Sequence, residues 1–308
     1  MLVTPRLSIV TPSFQQGEFI EEAIQSVLRQ DNDSLEYWII DGGSTDNTLS
    51  LIEKYQSALQ WVSEPDKGQS DAINKGFKVA RGDLLGWLNA DDIYLPGVVS
   101  EVIQEFQKDP NLMLLYGDAY HINNSGDCLD KYPSDEFDLD QLAFRCFICQ
   151  PTCFFRRELI EEAGYLNAQL RYALDLDLWI RFGQLQKKRP HWKFKYVSRL
   201  WAYSRMHKAN KTLSKRKESF EEISRVVKQH FGVTPFNWIY GQLEASSGHY
   251  DGYFRKSPLN LILLLRSIFK WIWLNKKNPL YLSQYILQAL AFPANSVGRL
   301  TRRFGEKD

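Results

Sequence analysis

The sequence is short of several things, and each shortage narrows what it can be. Only four of 308 residues are cysteine: Cys128, Cys146, Cys149 and Cys153. No His or Cys pair stands beside them at zinc-finger spacing. The apolar run FICQPTCFF suits buried reduced thiols better than a metal site. No basic stretch followed by a long apolar one opens the chain, so no secretory leader is expected. The thiols are then expected to stay reduced in a cytoplasmic setting. No run of about 18 apolar residues occurs, so no spanning helix is expected. Neither GxGxxG nor GxxxxGK followed by Ser or Thr is present, which removes the two common glycine-rich phosphate cradles. Internal repeats and low-complexity segments are also missing.

What is present is a globular composition, 44% hydrophobic and 14% aromatic, too apolar for a disordered chain. The net charge is only +1, which on its own argues against strong steering toward nucleic acid. That sum hides an asymmetry. Residues 255–308 carry ten of the 38 basic side chains and two of the 37 acidic ones, a net of +8. The preceding 254 residues hold 28 basic and 35 acidic, a net of −7. An acidic body with a basic tail is a different object from a neutral protein.

The first 120 residues alternate strand and helix signals. Strands are predicted at Leu7–Thr11, Glu36–Asp41, Leu59–Ser63, Leu84–Leu88 and Met113–Tyr116. Helices are predicted at Glu18–Arg29, Asp46–Tyr55, Ser70–Ala80 and Pro96–Lys108. Repeated β-α-β units imply an α/β fold with a mainly parallel sheet, and such sheets bind ligands at the carboxyl ends of their strands. Beyond residue 120 the signals are a hairpin in His121–Tyr132, a strand at Thr152–Arg156 and a β-rich run at Lys193–Tyr203. Helices are expected at Glu158–Ala163, Asp175–Leu185 and Lys215–His230.

The strand ends are rich in carboxylates. Asn89-Ala90-Asp91-Asp92 follows a buried strand, and adjacent carboxylates repel unless a cation or donors compensate. A divalent cation with oxygen ligands fits there; a helix N-cap by Asp92 fits as well. Asp41, before Gly42-Gly43-Ser44, can accept from a nucleobase N–H or from its own turn. Asp71 and Asn74 lie three apart, share a helix face and are expected to point into the same cleft, although Asp71 also suits a helix first turn.

Taken together, SIVTPSFQQGEFIEEAIQSVLRQ, EYWIIDGGSTDNT and DKGQSDAINKGFKVARGDLLGWLNADD resemble the family 2 glycosyltransferases. Two later segments belong to the same resemblance, Gln150-Pro151-Thr152 with Phe154–Arg157, and LRYALDLDLWIR. It extends over roughly residues 7–210. It implies a GT-A-like nucleotide-binding sheet flanked by helices over residues 1–212, with a helical C-terminal extension over 213–308. It also implies inverting, nucleotide-sugar-dependent transfer to a hydroxyl acceptor, in polysaccharide or glycolipid biosynthesis, with uracil as the donor base. By matching positions, Thr11, Pro12, Ser13 and Asp41 hold the nucleotide base. The metal segment reads Asn89-Ala90-Asp91-Asp92, with Asn89 in place of the first carboxylate. Mg²⁺ or Mn²⁺ is therefore expected on Asp91 and Asp92, with His207, from the segment Arg205-Met206-His207, completing the site. Asp71, Asn74, Asn89 and Asp91 are expected to face the donor. Of the acidic pair near the Leu-Trp segment only Asp175 remains, so Asp175 is the expected base; Asp177 is expected to pair with Arg181.

The tail carries a further expectation. PLNLILLLRSIFKWIWL at residues 258–274 contains no acid, and Arg266 and Lys270 lie on a narrow polar stripe. A second apolar helix, Leu280–Phe292, and a basic end at Arg299, Arg302, Arg303 and Lys307 follow. Contact with the inner face of the cytoplasmic membrane through 258–303 is expected, alongside packing against protein as the alternative. Two rival functions share part of the pattern: a non-catalytic nucleotide-sugar-binding scaffold, and nucleotidyl transfer. The second suits a basic phosphate loop near the N-terminus, and SFQQGEF has no basic residue.

Overall fold

A computed structural model of the chain describes residues 4–207, 210–246, 261–279 and 282. The chain divides into two compact units, Met1–Lys208 and Ala209–Asp308.

The first unit is built on one sheet. Strands β1 (Leu7–Ser13), β2 (Leu35–Asp41), β3 (Gln60–Ser63) and β4 (Leu84–Trp87) pair in parallel in the order β3-β2-β1-β4. Helices α1 (Ile20–Leu28), α2 (Thr48–Glu53) and α3 (Gln69–Val79) connect them. Every residue of β1 is buried, as in a strand covered on both faces. Helix α1 forms because Ile20, Ala23, Ile24 and Val27 recur at helical spacing and all are buried. Gly76 lets α3 lie close on the sheet: a Cβ there would stand 2.3 Å from Val10 Cγ1 and 3.1 Å from Ile40 Cγ1.

The chain then forms β5 (Ile93–Tyr94), α4 (Val98–Lys108), β6 (Leu112–Ile122), β7 (Cys128–Lys131) and β8 (Cys153–Arg156). After these come α5 (Arg157–Ala163), α6 (Leu174–Lys188) and β9 (Lys193–Arg205). The sheet continues β4-β8-β6-β9-β5, with β7 beside β6. Strand β8 is antiparallel to both β4 and β6, β9 is parallel to β6, and β5 is antiparallel to β9. The α/β architecture is the expected one, but only the pairings among β1 to β4 and that of β9 with β6 are parallel. Between β6 and β8 the chain turns back through a hairpin and short 3-10 turns, with no crossover helix, so antiparallel pairing is what that connection allows. Strand β6 is longer than its apolar run Met113–Tyr116 predicts, because Gly117–Ile122 extends it alongside β9. The two-residue β5 carries no periodicity to read.

The second unit is helical. It contains α7 (Lys211–Ser214), α8 (Arg216–Phe231), α9 (Phe236–Ser246) and α10 (Leu261–Asn275). Its core holds Val233, Phe236, Ile239, Tyr240, Leu263 and Trp271. Asn275 fixes the end of α10 by exchanging two hydrogen bonds with the backbone of Thr234, at 2.9 and 3.0 Å. No described helix is long and apolar enough to cross a membrane. Of the predicted helix Leu280–Phe292 only Leu282 is described; the basic end Arg299, Arg302, Arg303 and Lys307 lies outside the described residues.

Close approach at Gly76 is directly testable. Gly76→Ala should destabilise the chain by about 1–3 kcal/mol through overpacking, despite the higher helix propensity of Ala. Urea denaturation measures this; an unchanged midpoint would mean that α3 can lift off β1 at no cost.

Candidate active site

The carboxyl ends of β1 and β2 lie side by side, in register through Ser13 and Asp41. Thr11 and Pro12 are buried, and the Thr11 hydroxyl shares a 3.0 Å hydrogen bond with the Tyr37 hydroxyl inside the sheet. The Ser13 hydroxyl is buried without a hydrogen-bond partner. Asp41 is fully buried and accepts four hydrogen bonds. Two come from Gly43 N and Ser44 N at 2.9 and 2.8 Å, and two from the hydroxyls of Ser44 and Ser63 at 2.6 and 2.8 Å. Its carboxylate is therefore spent on building its own turn, which is the structural alternative the sequence left open.

Two residues that the sequence did not single out converge beside that turn. A Cβ on Gly42 would stand 2.6 Å from Asp66 Oδ2 and 3.3 Å from Phe14 Cδ2. Gly42 thus sits between a carboxylate and an aromatic ring. Phe14 is 56% exposed although it is a large apolar side chain. The available signal was positional: Phe14 follows β1 directly, and Asp66 lies just past β3.

Asp71 and Asn74 on α3 do not share a free cleft. Asp71 Oδ2 accepts from Lys67 N at 3.1 Å, so it caps the helix start. Both ends of the Asn74 amide are taken by the backbone of Leu166, at 2.8 and 3.0 Å. Asn74 staples α3 to the loop after α5.

The turn Asn89–Asp92 is held from several directions. Asp92 is buried. Its Oδ1 accepts from Arg205 N at 2.9 Å and its Oδ2 from the Asn89 amide at 3.0 Å. Burial, reinforced by the charge of Asp91, pushes the Asp92 carboxyl upward. The same Asn89 amide donates to Gln150 Oε1 at 3.0 Å, Asn89 Oδ1 accepts from Gln69 at 2.7 Å, and Gln150 donates to the Trp87 carbonyl at 2.6 Å. Asn89 is therefore a neutral donor between two acceptors, a job an aspartate cannot do. Arg205 completes the frame. Its buried guanidinium donates to the carbonyls of Asp91, Asn123 and Asn124 at 3.0–3.1 Å and to Glu22 at 2.5 Å, and it lies over the Phe19 ring.

The expected metal set assembles only in part. Asp91 and His207 face each other, with His207 Nε2 2.9 Å from Asp91 Oδ2. That distance is close to the separation of neighbouring ligands around a cation with bonds of about 2.1 Å. Asp92 is turned inward, with both oxygens held by protein donors. Among the described residues no group of three or more His, Cys, Asp or Glu side chains converges on a metal position. Asn89, Asp91 and Asp92 thus share one turn, and of the expected set Asp91 and His207 face each other.

Asp175 lies in the first turn of α6. The helix is seated on β4 by Trp179, whose ring stacks on Trp87 at 5.6 Å, and Asp175 is one turn back along the helix. Its Oδ1 accepts from Leu176 N at 2.8 Å. Burial lifts its pKa to about 6, against the lowering effect of that N–H. Burial pushes the Cys149 thiol upward, and the charges of Asp92 and Asp175 add to that. Asp177 forms an ion pair with Arg181 at 2.8 Å, as its spacing predicts.

A family model described as glycosyl transferase family 2 matches residues 8–164. The hyaluronan synthase of Pasteurella multocida is 26% identical over 242 residues, which cover 76% of this chain and 24% of that protein. The chain spans 24% to 32% of the length of this synthase and of two curated chondroitin synthases it also matches. Among solved structures, S. aureus TarS 1-349 in complex with UDP-GlcNAc superposes with a TM-score of 0.57 at 16% identity, over 78% of this chain and 71% of that one. Mannosyltransferase PcManGT from Pyrobaculum calidifontis, in complex with GDP-Man and Mn²⁺, gives 0.53 at 16% identity, over 96% and 80%.

The Asn89 network makes a counter-intuitive prediction. Asn89→Asp restores a carboxylate but removes a donor to Asp92 and Gln150. It should destabilise the fold by about 1–3 kcal/mol at pH 7, from the donor lost to two buried acceptors. Equal denaturation midpoints for this variant and the wild type would show that the amide does not hold the turn.

Proposed function

The chain belongs to glycosyl transferase family 2, and from that premise we propose that it moves a sugar from a nucleoside diphosphate donor to an acceptor hydroxyl with inversion, Asp175 serving as the base. The observation that carries this reading is the state of Asp175. A carboxylate with a pKa near 6 is ionised at neutral pH yet basic enough to take a proton as an alcohol attacks. Its Oδ1 accepts from the Leu176 N–H. In the proposed step the acceptor oxygen bonds to the anomeric carbon while the carbon–oxygen bond to the diphosphate breaks. The acceptor proton passes to Asp175 and the nucleoside diphosphate leaves with the bonding electrons. One displacement inverts the anomeric centre, and no covalent intermediate is required.

The donor is read as a UDP-sugar, consistent with the UDP-GlcNAc bound in the TarS structure, although the PcManGT structure carries GDP-Man. Phe14 offers a face on which a nucleobase stacks, and Asp66, across Gly42, offers an acceptor for a base or ribose donor. The unpartnered Ser13 hydroxyl adds a polar group at the same strand end. Asp91 and His207 are the residues that would hold a divalent cation, Mg²⁺ or Mn²⁺. When bound, such an ion neutralises charge on the departing diphosphate. Asp92 and Asn89 act through the shape of the turn. The polysaccharide synthases among the relatives make a polysaccharide or glycolipid hydroxyl the acceptor class of choice.

The base assignment fixes a pH profile. Below pH 6 the rate of transfer should fall tenfold per pH unit as Asp175 protonates. Asp175→Asn should lose at least about 10³-fold in kcat while binding donor normally. The raised pKa also costs the folded chain stability as pH rises through about 6, because the charged form is desolvated only in the folded state. Asp175→Asn should therefore melt higher than wild type at pH 8 and show no such gain below pH 4. Nucleotide release across a donor panel, with and without acceptor, reads the activity. Near-wild-type transfer by Asp175→Asn, with or without the stability gain, rules out this base.

Stacking makes a separate prediction. Phe14→Ala should raise the donor KM by about 5- to 100-fold with little change in kcat, since the lost contact is made equally in the ground and transition states. A KM within twofold of wild type would remove Phe14 from the donor site.

A further inference from the structure

Helix α10 presents two unlike faces. One packs on the second unit's own core through Leu263, Ser267, Trp271 and Asn275, all buried, with Trp271 edge-on to Phe236 at 6.2 Å. The other is exposed and mostly apolar. Ile262 is 70% exposed, Phe269 72% and Trp273 63%, with Leu265 and Ile272 beside them. Arg266, Lys276 and Lys277 are exposed too, and Lys276 lies over the Trp273 ring at 5.4 Å. At 100° per residue the six of these side chains that lie within α10 fall within about 120° of the helix circumference, and Lys276 and Lys277 follow in the turn after it. Large apolar side chains gathered on one face require an occupant other than water.

We propose that this face of α10 lies on an anionic lipid surface. The charge pattern selects lipid over a second copy of the chain. The helix has four basic residues and no acid within 261–279, so an isologous pairing of two such faces would set like charges together. A bilayer interface accepts both halves of the pattern. Phe269, Trp273 and their aliphatic neighbours enter the acyl boundary, while Arg266, Lys276 and Lys277 extend their stems along it and reach the phosphates. The helix is too short and too basic to cross, which leaves the interface plane as its place. This surface is separate from the catalytic reading and does not depend on Asp175.

Vesicle flotation of the full chain tests the proposal. Phosphatidylcholine vesicles containing 30 mol% phosphatidylglycerol should bind it at least about tenfold better than phosphatidylcholine alone, with the preference lost in high salt. Phe269→Glu combined with Trp273→Glu should abolish binding and leave the circular dichroism spectrum and nucleotide release unchanged, because both side chains are exposed. Arg266→Glu with Lys276→Glu and Lys277→Glu should erase only the preference for anionic vesicles. Three results overturn the proposal. One is a wild type that stays unbound with anionic vesicles. Another is a Phe269/Trp273 variant that binds as well as wild type, which assigns the contact to another segment. The third is a dimer in sedimentation that the same variant converts to monomer, which makes the face a protein interface.

Discussion

A carboxylate taken out of water must be given donors, and the first unit is organised around meeting that demand for Asp92. Its two oxygens are held by Arg205 N and by the Asn89 amide. Supplying Arg205 N requires the last strand of the unit to reach the turn after β4, and the pairing of β5 with β9 brings it there. Once β9 arrives, its other residues fall into place: Arg205 ties the turn to α1 and to the hairpin after β6, and His207 reaches Asp91. Asp92 thus positions by being buried, whereas the Asp91 side chain, 17% exposed, faces His207.

Asp175 illustrates a second balance. A helix first turn favours a carboxylate's charged form, through the macrodipole and through N–H donors such as Leu176. Burial opposes this and wins, leaving the pKa near 6. One helical turn on, Trp179 stacks on Trp87 and seats α6 against the sheet.

The β-α-β half was legible in the sequence because its signals are local: apolar periodicity in α1, a buried run in β1, carboxylates just past strand ends. The second half was less so. Strand β6 pairs with β9 some 80 residues later, and no window of sequence contains both partners. The site divides in the same way. Asp91, Asp175 and His207, the residues the proposed reaction uses, were singled out through resemblance to a family. The side chains of Asp41 and Asn74 are committed to structural hydrogen bonds, Asp41 to its own turn and to Ser63, and Asn74 to the distant backbone of Leu166, which residue type alone does not reveal. Phe14 and Asp66 went unread because an aromatic and an acid in a loop have no period; only the gap left by Gly42 brings them together.

The reach of β9 also bears on the order in which the protein is made. Asp92 and its partner Arg205 are 113 positions apart in the chain. At a ribosome adding about 5–20 residues per second, the turn after β4 emerges roughly 6–20 s before the strand that covers it. For that interval the nascent chain holds a carboxylate without its burial partner and a sheet whose β6 edge is open. An open edge invites pairing with other chains. The stretch from β6 to β9 is thus the window in which a slowed ribosome or a missing chaperone would be felt most.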